Sequence, residues 1–144
     1  MPRIVREASL AWDGSLSRGS GTATAGTGAF GPLDVSWAAR AEDADGKTSP
    51  EELLASAWAA CFAMALSNDL AKGGNPPEKL EASATVTFQP GEGITKGVLS
   101  VRGTVPGMDE SAFKDAAEGA KENCPVSKAL AGIPDVTLEA SLAA

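Results

Sequence analysis

Alternation of apolar and polar positions opens and closes this chain, and one long apolar block separates the two ends. Ile4, Ala8, Leu10 and Trp12 share one parity and stop at Asp13-Gly14, which predicts a strand with one face toward a core. Small residues over 19–24 predict a second strand, and Gly26, Gly28 and Gly31 punctuate the turn after it. Val35, Trp37 and Ala39 alternate with Asp34, Ser36 and Ala38 and predict a third, followed by a polar loop over 42–47. A helix then begins sharply. Ser49-Pro50-Glu51-Glu52 combines a capping box, a proline at the first helical position and acids where the helix dipole favours them. Lys72, Gly73-Gly74 and Pro76-Pro77 mark its end, giving about 22 residues and roughly 33 Å. Its middle is apolar on every side, the pattern of a buried central helix. A chain of this length has difficulty enclosing such a helix, so a partner subunit on one side is expected.

Clean alternation returns after the helix. Leu80, Ala82, Ala84, Val86 and Phe88 oppose Glu81, Ser83, Thr85 and Thr87, and Leu99, Val101 and Val105 oppose Ser100, Arg102 and Thr104. Pro106-Gly107 breaks the chain, and Asp109 or Ser111 can cap a helix through Lys121. Asn123-Cys124-Pro125 interrupts that helix before a short one through about Leu130, and Val136, Leu138, Ala140 and Leu142 close with a half-buried strand. The order βββ-α-ββ-α-α-β predicts an α+β fold, antiparallel sheets packed on long buried central helices. No linker or repeat divides the chain, so one domain over 1–144 is expected.

Composition narrows the function. A net charge of −7, without a basic cluster, argues against nucleic acid. The N-terminal residues lack the apolar core of a signal peptide, and the longest apolar stretch, 53–66, is broken by Ser56 and falls short of the ~20 residues that span a bilayer. The expectation is a cytoplasmic protein without a membrane partner. The chain has no histidine, which rules out a Ser-His-Asp triad, a Cys-His nucleophile and a histidine-bearing metal site. No cofactor and no metal are expected. What chemistry remains belongs to two cysteines, Cys61 and Cys124, too far apart in sequence for a C-x-x-C motif.

The two sulfurs differ in local setting. Cys61 lies mid-helix between Trp58 and Phe62, where a free cysteine commonly serves as a small apolar filler and burial raises its pKa. It lies about three turns in, beyond reach of the N-terminal dipole, so as a nucleophile it needs a cation from elsewhere. Cys124, directly before Pro125, is poised at a helix N-cap, where backbone N–H groups stabilise a thiolate. Local physics alone makes Cys124 the better anion.

Residues 49–54 and 59–66, the latter Ala59-Ala60-Cys61-Phe62-Ala63-Met64-Ala65-Leu66, resemble the signature helix of the OsmC/Ohr family of thiol-dependent peroxidases. Asn123-Cys124-Pro125-Val126-Ser127 is similar to that family's second cysteine motif, and its Pro-Val-Ser ending resembles the OsmC (osmotically inducible) branch. Trp12-Asp13-Gly14, the stretch 17–22 and the stretch 105–109 carry the resemblance over nearly the whole chain. It implies an interlocked homodimer in which Cys61 attacks an organic hydroperoxide, or H2O2, and the resulting sulfenic acid condenses with Cys124 to a disulfide. A dithiol reductant, with a lipoylated protein as one candidate, would restore both thiols. Arg18 would supply the cation beside Cys61, and Glu51 would hold its guanidinium by a fork-shaped pair. Taken alone, Arg18 reads as a solvent-exposed arginine at a strand end, and Glu51 is sufficiently explained by the helix start.

Helix geometry adds a constraint. Glu51 and Cys61 are ten residues apart on one helix, about 15 Å along its axis. An Arg18–Glu51 pair that touches Cys61 is therefore expected to come from a second subunit. Two other functions remain compatible with the sequence. One is a non-enzymatic redox sensor or stress-interaction protein using the same cysteines; the other is a dimer that binds a small hydrophobic ligand while the cysteines stay inert.

Overall fold

The computed structural model describes residues 2–143, so the two ends of the expected domain, Met1 and Ala144, lie outside the described residues. Contacts cluster into two compact units, one ending at Glu51 and the other beginning at Glu52.

The first unit is a three-stranded sheet of β1 (Ala8–Asp13), β2 (Ser20–Ala25) and β3 (Leu33–Val35), paired antiparallel in that order. Trp12 faces Gly21 across the ladder, and a Cβ on that glycine would come within 2.9 Å of the indole ring. The bare backbone gives the ring its place. The expected alternation through Ala39 stops early. Ser36 accepts a hydrogen bond from the Ala39 N–H at 3.1 Å and caps a short helix, α1 (Trp37–Ala41), instead. A hydroxyl that can satisfy an orphan helix donor overrides a three-residue period-2 pattern. Of the apolar parity of β1, Leu10 is 52% exposed and Trp12 37%.

The second unit contains nearly all of the long helix α2 (Pro50–Lys72), whose first turn holds the division. It also holds β4 (Lys79–Gln89), β5 (Gly93–Thr104), α3 (Glu110–Asn123), α4 (Pro125–Ala129) and β6 (Asp135–Leu142). β4 and β5 form an antiparallel hairpin, but β6 adds to β5 in parallel, so the sheet is mixed and not wholly antiparallel. The chain crosses over through α3 and α4 before returning, and a helical crossover is the connection a parallel neighbour requires. α3 is capped by Asp109, whose carboxylate accepts from the Ala112 N–H at 2.8 Å.

Trp58, Phe62, Leu66 and Leu70, spaced by four, form the buried stripe of α2 and join Leu99, Val101, Phe113, Ala117, Ala120 and Cys124 in one core. Glycines on β5 seat the rings: a Cβ at Gly97 would lie 2.5 Å from Trp58, and one at Gly103 would lie 2.6 Å from Phe113. The opposite side of α2 remains open, with Met64 72% exposed. α2 has 23 residues and an 18-residue window of mean hydropathy 1.3, long and apolar enough to cross a membrane by length and composition. One stripe of it joins the core of the second unit, as on a helix that packs by one face.

Candidate active site

The core of the second unit delivers two sulfurs to one place. Cys61 is half-buried on α2, on the turn between Trp58 and Phe62. Cys124 is fully buried at the junction of two helices, serving as C-cap of α3 and N-cap of α4. Its backbone is extended, as a residue before proline must be, with φ −60° and ψ 122°. Its N–H still closes the last turn of α3 on the Ala120 carbonyl at 2.8 Å, and its carbonyl accepts from the Lys128 N–H at 3.1 Å. Asn123-Cys124-Pro125 thus ends one helix and starts the next while fixing where the sulfur points.

Both cysteines are free thiols packed in the same core, and each bears on the other's ionisation. Their ionisation is pulled in opposite directions. Burial raises the Cys61 thiol above its ordinary value, and the neighbouring Cys124 adds to the rise against one backbone hydrogen bond from Val126. Burial also acts to raise Cys124, but its polar surroundings at Cys61, Ser127 and Val126 bring it below its ordinary value. Within one chain Cys124 is the better anion.

Two further residues were not singled out by the sequence. Ser127, in the first turn of α4, accepts a hydrogen bond from the Trp58 indole N–H at 2.7 Å. Arg40 of α1 forks Glu51, with Nε at 3.0 and 3.1 Å from the two carboxylate oxygens and Nη2 at 2.9 Å from Oε2. The signal for Arg40 was Ser36: read as a helix cap, it places Arg40 in a last helical turn and not on a strand. Ser127 stands in the second cysteine motif, but its contact with Trp58, 69 residues away, had no local signal.

The other expected site residues, Arg18 and Glu51, belong to the first unit. Arg18 is exposed in the turn between β1 and β2, where its N–H donates to Ser15 Oγ at 3.3 Å. Among the described residues its guanidinium forms no ion pair, and the Arg18–Glu51 fork does not form in the single chain. Glu51, 6% exposed at the start of α2, has Arg40 in that role. A carboxylate offers about four lone-pair sites, so Arg40 leaves acceptor capacity on Glu51 for a second guanidinium.

The profile of the OsmC-like protein family matches residues 42–139. The peroxiredoxin OsmC of Escherichia coli (strain K12) is 37% identical over 134 residues, covering 91% of this chain and 92% of that protein. The organic hydroperoxide resistance protein OhrA of Bacillus subtilis (strain 168) is 36% identical over 104 residues, 69% of this chain and 72% of that protein. Among solved structures, the organic hydroperoxide resistance protein OhrB of B. subtilis superposes with a TM-score of 0.68 at 26% identity, covering 93% of this chain and 97% of that one. An OsmC-like protein from Mycoplasma pneumoniae superposes at 0.74 with 17% identity over 98% and 99%, a likeness of fold.

Proposed function

The chain belongs to the OsmC family, and on that premise we propose that it is a thiol-dependent peroxidase reducing organic hydroperoxides through Cys61 and Cys124. The observation that carries this reading is the pair of free thiols brought together in one core, with their ionisation pulled apart. The Cys61 thiolate attacks the distal oxygen of ROOH. An S–O bond forms, the O–O bond breaks, and the alkoxide takes a proton and leaves as alcohol. The Cys124 thiolate then attacks the Cys61 sulfenic acid, forming the disulfide and releasing water once a proton is supplied. A dithiol returns two electrons and two protons; a lipoylated protein suits that role.

Cys61, held above its ordinary pKa, needs a cation to become nucleophilic near neutrality. Arg18 of a partner subunit fills that need, held by Glu51, itself braced by Arg40. A homodimer is supported by what the single chain leaves uncovered: Met64 on α2, and Leu10 and Trp12 on β1. We read residues 1–144 as one domain of that dimer, consistent with relatives that align over most of the chain, and place it in the cytoplasm.

The direct experiment gives reduced protein one equivalent of cumene hydroperoxide, followed by thiol counting and mass spectrometry. Loss of both thiols with release of the alcohol is expected; unchanged thiols would sink the assignment. Cys61→Ser abolishes turnover, whereas Cys124→Ser leaves one oxidation event and a trapped sulfenic acid or its overoxidised products. The lowered pKa of Cys124 favours one second reading, a redox sensor in which Cys124 reacts first, and the reverse mutant phenotype would support it.

A further inference from the structure

A hydrogen bond joins the two cysteine-bearing segments directly. Trp58 stands three residues before Cys61 on α2, and Ser127 three residues after Cys124 in the first turn of α4. Residues three apart on a helix are neighbours on one face, about 5–6 Å between Cβ atoms. Trp58 Nε1 donates to Ser127 Oγ at 2.7 Å, so the turn beside one sulfur is tied to the turn beside the other. The two ends of this bond are held unequally. Trp58 is 1% exposed, and its ring lies on Gly97 of β5, where a Cβ would come within 2.5 Å. The residues of α4 are all half-buried or exposed, Val126 packing on the core only in part. A cavity of about 470 Å³, lined by Trp58, Ser127, Leu130, Ile133 and Val136 among others, lies against the pair and leaves α4 room to shift. The Cys124 side chain makes no cap hydrogen bond, so its sulfur goes where the helix junction goes.

We propose that the Trp58–Ser127 hydrogen bond is a brace that holds the Cys124 junction against α2 and thereby sets the rate of disulfide closure. Closure is the step at which Cys124 has to reach Cys61. Its electron pair forms the S–S bond, the S–O bond of the Cys61 sulfenic acid breaks, and the oxygen takes a proton and leaves as water. A second hydroperoxide competes for the same sulfenic acid. Its distal oxygen passes to the sulfur, the O–O bond breaks, alcohol leaves, and Cys61 is left as a sulfinic acid that Cys124 cannot recover. Holding two reacting groups together speeds the intramolecular branch and leaves the bimolecular one unchanged. Arg18 of the partner subunit acts at an earlier step, the ionisation of Cys61 and its attack on peroxide, and is common to braced and unbraced chains. Trp58 and Ser127 act through the segments they join and are positioning residues.

This inference rests on the disulfide of the proposed function, and its test separates the two. Reduced native protein and its variants are mixed with cumene hydroperoxide and quenched at intervals. Sulfenic acid is trapped with dimedone, and disulfide and sulfinic acid are counted by mass spectrometry. Ser127→Ala should form sulfenic acid within about twofold of the native rate but close the disulfide about fivefold more slowly, the scale of one net hydrogen bond. At excess hydroperoxide it should accumulate sulfinic acid on Cys61. Ser127→Thr, which keeps the hydroxyl, should restore closure; Trp58→Phe, which keeps a ring on Gly97 but no donor, should show the same split as Ser127→Ala. Closure at the native rate in Ser127→Ala, or an equal slowing of both steps, would overturn the proposal. The same variants are equilibrated with reduced and oxidised glutathione, which needs no peroxide chemistry. There Ser127→Ala should lower the ratio of disulfide to dithiol about fivefold, and an unchanged ratio contradicts the brace. Native protein that forms no sulfenic acid with hydroperoxide would end the peroxidase reading, leaving the glutathione ratio to judge this one.

Discussion

Single residues divide into those that make the reaction possible and those that hold them. Arg18 and Arg40 illustrate the difference. Arg18 is exposed and forms no ion pair among the described residues, so Arg18→Ala should leave urea stability within about 0.5 kcal/mol of the native chain. Under the proposed function its effect belongs to rate. Without the cation, Cys61 keeps a raised pKa, so peroxide reduction at neutral pH should fall by about 100-fold or more and climb as pH rises toward the thiol's ionisation. A flat pH profile in that variant would mean that Cys61 is not the group being activated. Arg40 forks a Glu51 side chain that is 7% exposed, so Arg40→Ala strands a nearly buried carboxylate and should lower stability on the order of 2 kcal/mol in urea titration. The sequence supplied the identities Cys61, Cys124 and Glu51, because a cysteine or a helix-start acid is visible where it stands. Arg40 was hidden by an alternating pattern that Ser36 overrode, and Ser127 by distance along the chain.

At the scale of elements, the site depends on how α2 meets β5. Trp58 can lie flat on that strand because Gly97 has no side chain, and Trp58 in turn holds Ser127. Gly97→Ala places a methyl 2.5 Å from the ring, so the indole must shift. The expected cost is about 1–3 kcal/mol in chemical denaturation, accompanied by a change in Trp fluorescence as the indole N–H loses its partner. Loss of stability with an unaltered Trp signal would show that the strand had yielded instead. The helix boundaries were legible from capping chemistry, and the long helix and both strands of the β4–β5 hairpin from periodicity. The parallel placement of β6 was not, since an alternating strand reads alike in either direction.

For the whole molecule, if the proposed Arg18–Glu51 pair activates Cys61, the separation of about 15 Å between Glu51 and Cys61 along α2 requires the pair to come from a second subunit. Sedimentation should report a dimer, and Met64→Glu should weaken it by placing a charge on the open face of α2. Complementation is the sharper measurement. Arg18→Ala and Cys61→Ser chains are each inactive, but subunit exchange creates heterodimers with one intact composite site. Random pairing should restore about a quarter of native activity; no recovery, with exchange confirmed, would place Arg18 and Cys61 in the same chain. By itself the sequence determined the periodic elements, the caps and the two sulfurs, because helix and strand signals act over a few neighbouring residues. The tertiary structure decided which groups surround those sulfurs. Trp58 reaches Ser127 across 69 residues and Cys61 meets Cys124 across the core, contacts that packing makes and no local pattern encodes. That packing, through hydrogen bonds and burial, makes two chemically identical thiols unequal.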